Sequence, residues 1–375
     1  MSLLIYADHA ATTKLDSEAF EAMKTFLIND YGNASQPYSF SRSSKKALKE
    51  ARIKIANCIN AEPEEIYFTS GGSESDNWAI KGTAFVYGDN RTVITSQIEH
   101  HAILNACEAV ERMGYPVAYL SVNEKGVILP ETLKRVISSS TKLVSIMYAN
   151  NEIGSIQPIS ELCEIAHKQG VLFHTDAVQA VGHIPIDVKK LNIDMLSASA
   201  HKFNGPKGIG FLYLKNGTKL QALIDGGSQE KYKRAGTENI ASIVGMAVAL
   251  ENNCKNMKKN IEWLNHLEKI FLENLSKTEI SFIKNGSDNC LPGNISVSFK
   301  NSNGEMILHR LDLMGICIST GSACNSQETK ISHVLSAIHV PDEYIQGTIR
   351  ISLGHENTEE DVIKIVNCID KILKR

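Results

Sequence analysis

The stretch Ile66-Tyr67-Phe68-Thr69-Ser70-Gly71-Gly72-Ser73-Glu74-Ser75 decides the architecture. Four β-prone residues give way to small turn formers and then to a serine–acid pair suited to opening a helix. A strand that runs directly into a helix is the first half of a βαβ unit. The alternation continues downstream. Strand-like runs fall at Ile66–Thr69, Thr92–Ser96, Leu143–Tyr148, Val171–Thr175, Asp194–Ser197 and Ile209–Leu214. Amphipathic helical stretches such as Ile103–Met113 and Ser160–Gln169 lie between them. This pattern implies an α/β fold: a mostly parallel central sheet flanked by helices, with its ligand at the carboxyl ends of the strands.

Further along, the texture changes. A basic helical stretch at Asn252–Leu275 leads to strand-like Gly293–Phe299, helix-like Gly304–Leu313, strands at Cys317–Ser319 and Thr348–Leu353, and a closing helix at Thr358–Leu373. These elements read as a smaller α+β domain. We expect a large domain over residues 15–250 and a small one made of residues 1–14 and 251–375.

Composition narrows the function classes. The 375 residues are 43% hydrophobic and 22% charged, the profile of a globular protein that builds its core without disulfides or metals. With 39 Lys+Arg against 42 Asp+Glu the formal net charge is -3, which gives no long-range field for nucleic acid or an anionic membrane. No apolar run has the length of a membrane span, and Asp8 falls where an export signal would be apolar, so we expect a cytoplasmic protein. The eight cysteines contain no C-x-x-C pair, which argues against a zinc framework. Six or seven of them are expected to be small core residues; Cys324 is set apart by its polar, glycine-containing surroundings.

Several segments carry chemistry. In Ser197-Ala-Ser199-Ala-His201-Lys202-Phe-Asn-Gly205 a lysine follows a strand end, where desolvation turns an amine into a nucleophile for an aldehyde. A surface lysine ahead of a hairpin would look the same. In Phe173-His174-Thr175-Asp176-Ala177-Val178-Gln179 an acid ends an apolar strand. Such an acid either caps a helix or faces a cation such as a protonated pyridine nitrogen. Gly72 and Ser73 open a helix whose free N–H groups suit a phosphate. His100, in Glu99-His100-His101, is placed to stack on a ring or move protons. Arg350, in Thr348-Ile-Arg350-Ile-Ser-Leu-Gly354, points opposite to its apolar neighbours and offers a fork for a carboxylate if that side faces a cleft. Cys324, in Ser319-Thr-Gly321-Ser-Ala-Cys324, reads as an accessible thiol on a loop.

Together these segments resemble the cysteine desulfurases, the NifS/IscS-like branch of the fold-type I, aminotransferase class-V pyridoxal phosphate enzymes. The likeness rests also on Tyr6-Ala-Asp8-His-Ala-Ala-Thr-Thr13, Tyr31-Gly32-Asn33, Asn150-Asn151-Glu152-Ile-Gly154 and Gly236-Thr237. The resemblance implies pyridoxal 5'-phosphate as cofactor, held covalently by Lys202, which also moves the Cα proton. Asp176 would pair with the ring nitrogen, Gln179 with the ring hydroxyl, and His100 would lie over the ring. Gly72, Ser73, Ser199 and His201 would hold the phosphate, with Thr237 reaching in from the partner of a homodimer. Asn151 and Arg350 would bind the carboxylate of L-cysteine. Cys324 would accept the sulfur as a persulfide and pass it to acceptor proteins serving iron–sulfur cluster assembly or tRNA thiolation. No direct nucleic-acid contact, membrane or metal is implied.

The likeness has gaps. Tyr38 stands where the family often has histidine, Ser41 where it has glycine, and Gly72-Ser73 where Ala-Thr is more usual. The loop Asn325-Ser-Gln-Glu-Thr-Lys330 also departs from the common wording. A lyase of the same fold acting on selenocysteine, cystine or cysteine sulfoxide remains an alternative, as does a sulfur-delivery scaffold without turnover.

Overall fold

The computed structural model describes residues 4–87, 91–320 and 331–374. Its strands are β1 Ile5–Tyr6, β2 Ile66–Thr69, β3 Thr92–Ser96, β4 Val117–Leu120, β5 Thr141–Ser145, β6 Leu172–Asp176, β7 Met195–Ser199, β8 Gly210–Leu214, β9 Phe282–Lys284, β10 Asn294–Phe299, β11 Ile316–Cys317 and β12 Thr348–Ser352. The helices are α1 Ser17–Ile28, α2 Arg42–Ile59, α3 Gly72–Tyr87, α4 His101–Arg112, α5 Pro130–Val136, α6 Ile159–Lys168, the short turn α7 Gln229–Tyr232, α8 Ile240–Leu275, α9 Gly304–Asp312, α10 His333–Ala337, α11 Asp342–Ile345 and α12 Glu359–Leu373.

Seven strands form the main sheet in the order β2-β8-β7-β6-β5-β3-β4. All its neighbours pair parallel except those of β8, which runs antiparallel to both β2 and β7. The expected α/β sheet is therefore present, with β7 and β8 forming one hairpin inside it. Strands β5, β6 and β7 are buried along almost their whole length, as expected of a parallel sheet covered on both faces. One core lies between the sheet and a helix layer containing Ile55, Leu162, Ala166 and Leu250; another holds Trp78, Ile103 and Val110.

A separate core forms where β10 pairs antiparallel with β9 and β12. It gathers Phe271, Val297, Ile307, Ile349 and Ile369, together with Ile5 and Ala7 from the start of the chain. β1 reaches this core by pairing parallel with β11. Helix α8, 36 residues long, runs from one core to the other: Ile243 and Leu250 pack in the first, Leu267 and Leu275 in the second. β4, Val-Ala-Tyr-Leu, is absent from the sequence reading; it is a half-buried strand at the edge of the sheet beside β3.

The expectation for the cysteines is corrected. Of the described ones only Cys107, Cys163 and Cys368 are buried; Cys58, Cys254, Cys290 and Cys317 are half-buried. Residues 321–330, and with them Cys324, lie outside the described segments.

Candidate active site

The carboxyl ends of β2, β6 and β7 open onto a cavity of about 610 Å³. Ten of the expected residues line it: Gly72, Ser73, His100, Asn151, Asp176, Gln179, Ser199, His201, Lys202 and Arg350. They arrive from β6, β7, β12, the starts of α3 and α4, and the turns between, which places the site where a parallel sheet presents its ligands.

The strand β7 ends at Ser199, and one tight turn, Ala200–Lys202, carries His201 and Lys202 to the cavity wall. Lys202 Nζ donates to the backbone carbonyls of Ala10 (2.6 Å) and Ala11 (2.8 Å). These acceptors are main-chain atoms of a segment almost two hundred residues away, so no side-chain motif announces them. His201 Nδ1 lies 3.2 Å from Thr12 Oγ1; burial, and then the charge of Lys202, lowers its pKa to about 4. At neutral pH it is an uncharged imidazole.

Asp176 closes β6. Its Oδ1 accepts the Val178 N–H at 2.9 Å, a local turn in place of the helix cap that the sequence left open. Burial raises its pKa, while His100 and Lys202 favour its ionised form. Gln179, in the same turn, donates from Nε2 to Ala10 O at 3.0 Å. His100 caps α4 through Nδ1, which accepts the Ala102 N–H at 3.1 Å, and burial lowers its pKa.

At α3 the backbone approaches closely. A Cβ on Gly72 would stand 2.6 Å from Val178 Cγ2, and one on Gly210 would stand 2.8 Å from Gly71 Cα. Gly71 itself has φ +151°, a conformation open to glycine. The free N–H groups of the first turn of α3 thus face the cavity with little side chain around them. Glu74 steadies this turn: it accepts the Ser70 N–H at 2.7 Å and a two-pronged contact from Arg234 at 2.8 and 3.0 Å.

Opposite lies Arg350. It is 6% exposed, which removes the solvent-facing alternative. Nη2 meets Asp8 Oδ1 at 2.7 Å and Nη1 donates to Asn151 O at 3.1 Å, while Nε has no partner among the described residues. Asn150 fixes the neighbouring turn by accepting the N–H groups of Glu152 and Ile153. Beneath His100, the carboxylate of Glu99 accepts the Met147 N–H, and burial pushes its pKa up to about 8. Asp8, Glu74 and Glu99 took no role in the sequence reading; each lies inside a quoted motif, but its partner is set by the fold.

Thr237 is exposed and does not line this cavity.

A family model, aminotransferase class-V, matches residues 5–365. A protein named cysteine desulfurase IscS from Dictyoglomus turgidum is 49% identical over 99% of this chain and 95% of its own. The chain belongs to the class-V aminotransferase family, in its cysteine desulfurase branch. Among solved structures, a NifS-like protein superposes with a TM-score of 0.93 at 37% identity, covering 99% of this chain and 100% of the other. A structure titled SspA in complex with cysteine gives 0.83 at 37% identity over 94% of this chain and 100% of that one.

Pyridoxal phosphate is the cofactor of this class-V branch. The cavity fits it on its own terms. It offers an amine on Lys202, a buried carboxyl on Asp176, and bare N–H groups at the glycine-lined start of α3. Among the described residues no cluster of metal-ligating side chains exists, and no helix is long and apolar enough to cross a membrane.

Proposed function

We propose that the chain is a cysteine desulfurase that converts L-cysteine to L-alanine and leaves the sulfur on Cys324 as a persulfide. The observation that carries this reading is the convergence of Lys202, Asp176 and Arg350 on one cavity of a class-V fold. Pyridoxal phosphate supplies the electron sink that lets the Cα–H and Cβ–S bonds of the substrate break. The chain's own groups do the rest. Lys202 anchors the cofactor and carries the Cα proton. Asp176 holds the proton on the ring nitrogen, and Gln179 faces the ring hydroxyl. His100 covers the ring and excludes water. Gly72, Ser73, Ser199 and His201 enclose the phosphate. Arg350 and Asn151 orient the substrate carboxylate. The sulfur passes to the Cys324 thiol, so cysteine plus thiol becomes alanine plus persulfide with no external oxidant.

We read the enzyme as a homodimer with Thr237 completing the partner's phosphate site. Two features support this: the exposure of Thr237, and a set of apolar side chains left open on and after α1, with Phe20 48%, Leu27 61%, Ile28 64% and Tyr31 72% exposed. The division into residues 15–250 and the remainder is supported by the passage of α8 between two cores. Sulfur acceptors in iron–sulfur assembly or tRNA thiolation, and a cytoplasmic setting, suit a chain with this chemistry. The test is mass spectrometry of the holoenzyme after L-cysteine, with alanine quantified. Extra sulfur on Cys324 with matching alanine supports the reading; alanine with sulfur on no cysteine would favour the lyase alternative.

A further inference from the structure

The segment that follows β8 clips onto the strand–helix turn at the mouth of the cavity. Its backbone there is unusual: Glu230, Lys231 and Tyr232 stand in the left-handed region, with φ of 46°, 58° and 64°, although none is glycine. Such residues persist only where their surroundings hold them. Glu230 is the first anchor. It is 8% exposed and accepts the Phe68 N–H at 3.0 Å, on the outermost strand β2, together with Nη1 and Nη2 of Arg52 at 2.9 and 2.6 Å. Four residues on, Arg234 is the second. Its Nε and Nη2 meet the two carboxylate oxygens of Glu74 at 2.8 and 3.0 Å, with the side chains 23% and 12% exposed. Glu74 lies in the first turn of α3 and lines the cavity. The two anchors thus flank the turn at Ser70–Ser73: Glu230 holds the strand before it and Arg234 the helix after it.

An acid is an awkward neighbour for a phosphate. The free N–H groups at the start of α3 suit an anion, and Gly72 and Ser73 are read above as part of the phosphate enclosure. An unpaired carboxylate in the same turn would repel that phosphate and compete for those N–H groups. A proton does not remove the charge: burial works to raise the Glu74 pKa, but the hydrogen bonds from Arg234 and Ser70 outweigh it and hold the carboxyl below its ordinary value. The guanidinium meets the charge instead. We infer that Arg234 is a positioning residue for the cofactor's phosphate, acting through Glu74: its fork pins and neutralises that carboxylate, so that the first N–H groups of α3 are left to the anion. A lysine would supply the charge without the paired donors.

This inference rests on the reading of the α3 turn as a phosphate holder. The experiment takes the full chain, stripped of cofactor, and titrates it with pyridoxal phosphate or with pyridoxal, which lacks the phosphate. Binding is read from the absorption of the bound ring, and a thermal melt checks the fold of each variant. Arg234→Met is expected to weaken pyridoxal phosphate about tenfold, the scale of one hydrogen bond to a charged group, and pyridoxal less than about twofold. Arg234→Met/Glu74→Gln removes the stranded charge as well and is expected to recover most of that loss, so the two changes are non-additive. Should Arg234→Met not fold, Arg234→Lys against Arg234→Lys/Glu74→Gln gives the same comparison with a smaller loss. Equal losses for the two ligands, wild-type affinity in Arg234→Met, or no recovery in the double variant overturns the inference, while the wild type still prefers the phosphorylated ligand. A wild type that binds both ligands alike sinks the phosphate reading of the α3 turn itself, and the inference with it.

Discussion

Arg350 Nη2 and Asp8 Oδ1 lie 2.7 Å apart across the wall of the cavity, joining β12 to the chain's first turn. Their side chains are 7% and 19% exposed, so the pair is shielded from most solvent screening. Asp8 thus fixes the guanidinium, and Nε has no partner among the described residues. Arg350→Lys keeps the charge but loses the fork. The expected result is a KM for L-cysteine raised about tenfold or more with a smaller fall in kcat, read by alanine formation. An equal fall in kcat with unchanged KM would place Arg350 outside substrate binding.

Lys202→Ala removes the cavity's one amine that also reaches the carbonyls of Ala10 and Ala11. We expect loss of the bound cofactor's colour and of alanine production together, measured by absorption and amino-acid analysis. Retained colour, with borohydride fixing the cofactor to another lysine, would refute the assignment.

Gly72 stands where a methyl group would meet Val178 Cγ2 at 2.6 Å. Gly72→Ala is expected to cost about 1–3 kcal/mol by overpacking, despite the better helix former. Trimming the neighbour in Gly72→Ala/Val178→Ala should recover part of that loss, so the two changes are non-additive in a thermal-melt cycle.

Glu152 is buried, accepts the Ser332 hydroxyl at 2.6 Å, and has its pKa pushed up to about 7 by burial from an ordinary 4.5. The folded state therefore holds this proton more tightly than the unfolded state. Stability from this group is complete below about 4.5 and is lost as pH rises toward about 7. His174, lowered to about 3, acts with the opposite sign, so the comparison must be a difference. The Tm of Glu152→Gln relative to wild type should climb between those two pH values and level off above them. A flat difference would mean that Glu152 does not change its protonation there.

The alternation of strand and helix was legible because each buried strand carries its own apolar run; Ile66–Thr69 and Thr92–Ser96 lie where the sequence places them. β4 was missed although its Val-Ala-Tyr-Leu is apolar, since a run of four such residues fits a strand or a helix segment alike. Lys202, Asp176 and Arg350 were readable because an ionisable group at the end of, or inside, an apolar strand demands a partner. The carbonyls of Ala10 and Ala11 were not readable, since every residue has one. Arg234 was overlooked because, within Lys231-Tyr232-Lys233-Arg234, it looks like one more cation of a polar loop. Only the fold brings it onto Glu74, 160 residues away.

β1 is stitched to β11, and Asp8 to Arg350, the latter joining positions 342 residues apart. During synthesis the acid at 176 and the amine at 202 emerge well ahead of the arginine at 350 that answers Asp8. The seven strands of the main sheet all lie within residues 66–214, whereas the wall of the substrate pocket is closed only when residue 350 has joined it.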